Sequence, residues 1–302
     1  MPLFSQQETA LHPEPLRPAM PVQVLPPTAS AIALVCDSPH SGTDYPADFG
    51  YAVALAELRK SEDTHVHWLW DAVPRVGGTL VQATFPRSYI DANRHERDID
   101  VAMLADAWPG EVAPSDRCLA LGNGLVFSHT PTRSPIYARR LSAREVVHRI
   151  EHYWRPYRQA LAQALQTVAA NGPRWHLNLH SMPSNAYERL GRVAPGPLAD
   201  VVLGDLHGRS CSADFTALVA GAFRERGYTV TVNDPYAGQD LLREFGNPTC
   251  GHESLQIELN RAIYLNEQSR ELLPRASAVR DDIAAVLNDI AAHIRRVTPS
   301  LP

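Results

Sequence analysis

The 302-residue sequence predicts an α/β layered domain with a mostly parallel or mixed sheet. Three observations carry that expectation: short apolar runs alternate with stretches of helical period, turn residues mark the joins, and one late segment alternates strictly between apolar and polar residues. Residues 31–36 are an apolar run that stops at Asp37-Ser38-Pro39-His40-Ser41-Gly42, as a buried strand ending in a tight loop does. Residues 64–76 carry Val66, Leu69, Trp70 and Val73 at helical spacing, with Gly77-Gly78 as a stop. Residues 79–85 read as the next strand. Residues 142–170 read as a long helix through Val146, Ile150, Tyr153, Tyr157, Leu161, Leu165 and Val168, and Pro156 should kink or divide it. Strands at 175–179, 201–203 and 228–232 and a helix at 214–226 follow. In 254–260, Leu255, Ile257 and Leu259 face one side and Gln256, Glu258 and Asn260 the other. A helix over 277–296, with Ser277 as its N-terminal cap, closes the domain.

Residues 1–29 hold seven prolines and read as an arm without regular structure, and residues 30–302 as a single domain. The arm lacks the basic and apolar regions of a signal peptide. With 28 basic against 33 acidic residues, no basic stripe argues for nucleic-acid binding, and no apolar stretch is long enough to span a bilayer. Four scattered cysteines without a C-x-x-C pair point away from disulfides and towards a reducing cytoplasm. Gly122-Asn-Gly124 lacks the third glycine of a dinucleotide loop and reads as a turn. The polar, proline-bearing segment 92–136 has the character of an active-site wall.

Several metal-capable residues fall where strands end. His40 follows the first strand, Asp63 precedes the first helix, His180 follows the strand at 175–179, and Glu258 lies on the polar side of a later one. Two imidazoles and a carboxylate are the ligand count of a catalytic zinc, and a further carboxylate could serve as general base. The plainer reading of each histidine is a hydrogen-bonded structural imidazole. Arg87-Ser-Tyr-Ile-Asp91-Ala-Asn93-Arg94 suits an anionic substrate, because guanidinium grips carboxylate bidentately; the alternative is a solvated loop with local Arg–Asp pairing. His148-Arg-Ile-Glu151-His152 matches an inverted zinc-peptidase pattern, but it lies beside the buried stripe of its helix and reads as a solvated face. There is no G-x-S-x-G, and Cys36 sits inside an apolar run, so serine and cysteine nucleophiles find little support.

In order along the chain, Ser38-Pro-His-Ser-Gly42, Asp63-Thr-His-Val-His67, Phe85-Pro-Arg-Ser-Tyr-Ile-Asp-Ala-Asn-Arg94, Tyr153-Trp-Arg-Pro-Tyr157, Leu179-His-Ser-Met182 and His252-Glu-Ser-Leu-Gln-Ile-Glu258, followed by Tyr264-Leu-Asn-Glu267, resemble the N-formylglutamate amidohydrolase (N-formylglutamate deformylase) family. The resemblance implies a three-layer α/β/α sandwich like that of zinc carboxypeptidases and aspartoacylases. It implies zinc bound by His40 and His180, with Asp63 as the third ligand because Thr43 stands where relatives place a glutamate. It further implies Glu258 as general base, Arg87 as the group polarising the scissile carbonyl, and Asn93, Arg94 and Arg243 as holders of substrate carboxylates. The implied activity is cytoplasmic hydrolysis of the small molecule N-formyl-L-glutamate to formate and glutamate, at the end of a histidine-degradation route. Three departures, Pro156-Tyr-Arg158, Gly238-Gln-Asp-Leu-Leu-Arg243 and Gly204-Asp-Leu-His-Gly208, touch substrate-side loops. They leave open a deacylase for another N-acyl amino acid, or a silent carboxylate-binding homologue.

Overall fold

The computed structural model of the chain describes residues 20–169 and 172–298. In chain order the elements are β1 (Val22–Leu25), β2 (Leu34–Ser38), α1 (Leu55–Arg59), α2 (Val66–Leu69), β3 (Thr79–Ala83), α3 (Asp116–Leu121), α4 (Ala143–Arg149) and α5 (Arg155–Ala169). They continue with β4 (Arg174–Met182), α6 (Ala186–Arg189), β5 (Val201–Gly204), α7 (Ala213–Arg224), β6 (Val230–Val232), α8 (Asp240–Phe245), β7 (His252–Asn260) and α9 (Ala276–Val297). The strands form one mixed sheet in the order β1-β3-β2-β4-β7-β5-β6. β3, β2, β4 and β7 run parallel to one another, while β1 and β5 pair antiparallel with β3 and β7.

Each sheet face is covered by helices. On one side Leu69, Phe215, Val219, Ile283 and Leu287 from α2, α7 and α9 close over Leu34, Leu177 and Ile257. On the other, Val146, Leu161, Leu165 and Leu241 from α4, α5 and α8 close over Val35 and Val81. The two cores make a three-layer α/β/α sandwich, as the alternation of elements requires. β7 shows the logic in miniature: Leu255, Ile257 and Leu259 all enter the first core, so Gln256, Glu258 and Asn260 face the other way.

Four sequence expectations need correction. β1 lies inside the proline-rich arm, where no regular element was expected. It is four residues long, sits at the sheet edge and fits between Pro21 and Pro26, which is where proline is tolerated. Residues 1–19 of the arm lie outside the described residues. The expected helix over 64–76 is a single short turn, α2, followed by a 3₁₀ turn at Pro74–Val76. The long helix is divided, but by a π-helical stretch at Ile150–Trp154 just before Pro156. Pro156 has no N–H for the carbonyl four residues back, and widening the preceding turn accommodates its ring. The far end of that expected helix, at position 170, is outside the described residues. α9 begins one residue before Ser277, and no side chain caps it.

The sheet order places a topological switch point at β2, whose neighbours β3 and β4 lie on opposite sides. In open α/β sheets, ligands gather outside the carboxyl ends of the strands at such a point. The loop leaving β2 crosses close over β3: a Cβ on Gly42 would lie 2.3 Å from the Thr84 carbonyl carbon, so only glycine lets the loop carrying His40 pass there.

Candidate active site

The loop after β2 delivers His40, and β4 delivers His180 near its carboxyl end. Asp63 lies between α1 and α2, where its backbone N–H donates to the His40 carbonyl at 3.0 Å. That turn is clamped from behind: Arg270 donates to the carbonyls of Arg59 (2.7 Å) and Glu62 (2.9 Å), and the Tyr264 hydroxyl to that of Thr64 (2.9 Å).

The three side chains meet. His40 Nδ1 and His180 Nδ1 are 3.0 Å apart, and Asp63 Oδ2 lies 3.0 Å from His180 Nδ1 and 3.4 Å from His40 Nδ1. All three residues are buried. Ligand atoms about 2.0–2.1 Å from a tetrahedral zinc lie roughly 3.3 Å from one another, so this spacing fits a small divalent cation. The outer ring nitrogens are engaged: His40 Nε2 is 2.7 Å from Asp91 Oδ1, and His180 Nε2 is 2.7 Å from Asn178 Oδ1. A neutral imidazole that donates from Nε2 has its lone pair at Nδ1. Two such lone pairs and a carboxylate oxygen then face one point with no proton donor among them, which is the donor set of a cation site. Burial opposes ionisation of Asp63, while the Arg87 guanidinium favours it. Arg261 Nη2 also donates to Asp63 Oδ1 at 2.9 Å.

Asp91 organises the Arg87–Arg94 stretch. Its Oδ1 accepts the Asn93 backbone N–H at 2.9 Å, and its Oδ2 accepts Arg87 Nε (3.1 Å) and Nη2 (2.7 Å). Arg87 Nη1 is left 3.9 Å from Asp63, facing the site. Local Arg–Asp pairing is thus present, but within a buried stretch and not in a solvated loop.

Glu258 pairs in register with His180 across β7 and β4. Gln256 Nε2 donates to it at 3.1 Å. Burial pushes its carboxyl up to about 7 against the pull of His180, with the Asp63 carboxylate adding to the rise.

His40, His180, Glu258, Arg87, Asn93 and Arg94 all line one cavity of about 420 Å³. Segment 92–136 forms much of its wall, as expected, through Arg117, Asn123, Phe127 and Thr130. Lys60 and six arginines face this space against Glu188 and Glu258, so the cavity is strongly electropositive. Arg94 is buried, donates to Gln239 Oε1 at 3.0 Å, and leaves its Nε without a partner. Burial and the nearby positive charge of Arg117 lower its pKa to about 10. Arg117 Nε is also unpartnered. Two guanidiniums in mutual repulsion with free donors are what an anion would settle.

Two expected substrate contacts stand differently. Arg243 is exposed and is not on the cavity wall: α8 turns Leu241, Leu242 and Phe245 inward, which directs Arg243 and Glu244 outward, and it is Gln239 that reaches the cavity. Asn93 lines the cavity, but its amide oxygen accepts the Leu241 N–H (3.1 Å) and its Nδ2 lies between Asn178 Oδ1 (3.2 Å) and His180 Nε2 (3.1 Å), so it mainly braces Asn178 beside His180. Sequence reasoning passed over Arg117 and Arg261, and did not see that Asp91 would meet His40. Arg261 follows directly on β7, three residues beyond Glu258, and a cation at that strand end was a usable signal. His148, Glu151 and His152 are exposed, and the two rings stack at 4.2 Å on the outside of the helix.

Fold and relatives together mark an amidohydrolase. The family model for N-formylglutamate amidohydrolase matches residues 32–265, and the chain belongs to that family. A crystal structure of N-formylglutamate amidohydrolase from Ralstonia eutropha JMP134 is 49% identical, covers 92% of this chain and 99% of its own, and superposes with a TM-score of 0.90. The N-formylglutamate deformylases of Pseudomonas aeruginosa and Pseudomonas putida are 26% and 27% identical, over 79% and 78% of this chain and 84% and 83% of theirs. A protein of Agrobacterium tumefaciens at 15% identity shares the fold, with a TM-score of 0.58.

Replacing His148 with alanine should leave the metal content of the purified protein unchanged, measured by elemental analysis. Loss of metal in that variant would place the ion on the outer helix face.

Proposed function

We propose that the chain is a zinc-dependent N-formylglutamate deformylase, hydrolysing N-formyl-L-glutamate to formate and L-glutamate. The observation that carries the proposal is the meeting of His40 Nδ1, His180 Nδ1 and Asp63 Oδ2 at 3.0–3.4 Å beside a buried glutamate, in a cavity rich in arginine. The names of the relatives support the substrate, and two imidazoles with a carboxylate suit zinc while leaving a position open. When bound there, zinc supplies Lewis-acid polarisation of a carbonyl oxygen and acidifies water.

The chain's own residues do the rest. Arg94 and Arg117, whose side chains line the cavity, bind the substrate carboxylates, which orients the formyl group towards His40 and His180. Glu258 takes a proton from the attacking water and returns it to the departing amine nitrogen; a carboxyl poised near neutrality suits both transfers. Arg87, fixed by Asp91, points its remaining Nη1 at the developing oxyanion. One such donor is worth about 10²–10³ in rate. The free cysteines accord with a reducing compartment, as expected of a cytoplasmic enzyme.

A second reading keeps the chemistry and changes the substrate to another acidic N-acyl amino acid. What favours it is a wall on which Arg117, Arg133 and Arg189 stand while Arg243 does not. Assay against a panel of N-formyl and longer N-acyl amino acids separates the two, and stoichiometric zinc with no turnover of any member would leave only a binding protein.

Glu258→Gln should keep its metal and lose about 10²–10⁴ in kcat. Near-normal kcat would remove Glu258 as the base. Because Glu258 works as the carboxylate, kcat/KM should fall tenfold per pH unit below its pKa; a bound cation stabilises the charged form, so the limb should lie at or below about pH 7 in a pH–rate profile. Arg94→Met should raise KM for dicarboxylate substrates by about 10- to 100-fold, the worth of a hydrogen bond to a charged group, while kcat changes much less. An unchanged KM would take Arg94 out of the anion site.

A further inference from the structure

Behind the cavity lies a buried polar cluster that the chemistry above does not use. Asp37 on β2 is wholly buried and accepts three hydrogen bonds: from the Tyr157 hydroxyl at 2.7 Å, from His176 Nε2 at 2.8 Å and from Asn178 Nδ2 at 2.8 Å. His176 Nδ1 is in turn 2.8 Å from Ser254 Oγ, which can donate to it. Burial opposes the Asp37 charge, yet the bonds from His176, Tyr157 and Asn178 hold its carboxyl below the ordinary value. A cluster this well satisfied has one correct arrangement of donors and acceptors.

That arrangement reaches His180 through Asn178. A carboxylate accepts only, so the end of the Asn178 amide that faces Asp37 must be the NH₂. Its Oδ1 is then the atom 2.7 Å from His180 Nε2. Asn93 enforces the same choice from the other side. Its own Oδ1 accepts the backbone N–H of Leu241, so its NH₂ is the end 3.2 Å from Asn178 Oδ1. With a donor on each flank, Asn178 can offer His180 only an acceptor; at 2.7 Å it lies closer to Nε2 than the Asn93 NH₂ at 3.1 Å, which is engaged with Asn178, so the ring carries its proton on Nε2. Nδ1, the nitrogen turned towards His40 and Asp63, is left with its lone pair.

We propose that Asp37, acting through Asn178, is a positioning residue that selects the tautomer of His180 and so makes Nδ1 a metal ligand. The inference rests on reading His180 as a ligand, and goes beyond it by assigning a function to a carboxylate that touches neither cation nor substrate. Tyr157 has a different part. It donates to the second oxygen of Asp37 and leaves the orientation of Asn178 untouched, so it contributes to stability alone.

The test uses the full chain and zinc alone. In the ¹⁵N-labelled, chelator-treated wild type, the imidazole correlation of His180 should show the proton on Nε2; a proton on Nδ1 overturns the proposal without any variant. Asp37→Leu removes the acceptor that faces the Asn178 amide and so frees Asn178 to flip. It should bind Zn²⁺ about 10- to 100-fold more weakly in a chelator competition, the usual effect of losing an outer-shell partner, and shift the His180 proton towards Nδ1. Tyr157→Phe should lower the melting temperature and keep wild-type zinc affinity and tautomer. Wild-type affinity in a folded Asp37→Leu, or an equal loss in Tyr157→Phe, would sink the role of Asp37. A wild type that takes up no stoichiometric zinc would instead sink the proposed function.

Discussion

Three atoms that repel one another are held together in a buried space. His40 Nδ1, His180 Nδ1 and Asp63 Oδ2 lie within 3.4 Å, out of reach of bulk water, and the surroundings must keep them there. Buried carboxylates provide the restraint. Asp91 holds His40 and Arg87, Asp63 is held by Arg261, and Asp37 holds Asn178. Removing one partner from a buried ion pair typically costs about 3–5 kcal/mol, whereas an apolar replacement of the whole arrangement is often neutral. A network of this kind is therefore poorly explained by stability and well explained by the geometry it imposes on two rings.

Backbone architecture brings these groups to one place. β2 is central, with β3 and β4 on either side, so the segments leaving three parallel strands converge. The His40 loop, the Arg87–Arg94 stretch and the end of β4 thus become neighbours without a long excursion of any one of them. The π turn at Ile150–Trp154 completes the frame. It sends the Trp154 indole N–H to the Arg94 carbonyl at 3.0 Å, and the residues just after it send Tyr157 to Asp37 and Arg158 to the Ala92 carbonyl at 3.2 Å. One irregular turn therefore secures both the Arg87–Arg94 stretch and the cluster behind His180.

Much of this was legible in the residues. Strand positions followed from apolar runs and alternation, and the site from polar residues at strand ends, since both are local patterns in the chain. Asp63, placed only by elimination, does join the two histidines. What could not be read was relational. Arg243 looks like a substrate residue until the helix face it occupies is known, and Arg117 looks like an ordinary helical arginine until Arg94 stands opposite. Asp37 resembled a turn residue; only the sheet register puts it against Asn178. The strand in the arm escaped notice because proline density is a sound argument against helices and central strands and a weak one against a four-residue edge.

That edge strand bears on how the molecule behaves in company. β1 occupies the outer side of β3 and offers solvent only the four residues between Pro21 and Pro26, of which Gln23 and Val24 are the exposed ones. Without it, β3 would present an open row of amides and carbonyls, the kind of margin on which other chains add and aggregates grow. Proline on both flanks keeps the replacement margin too short to template a neighbour. β1 thus acts as a hem, finishing the sheet where it would otherwise fray into self-association.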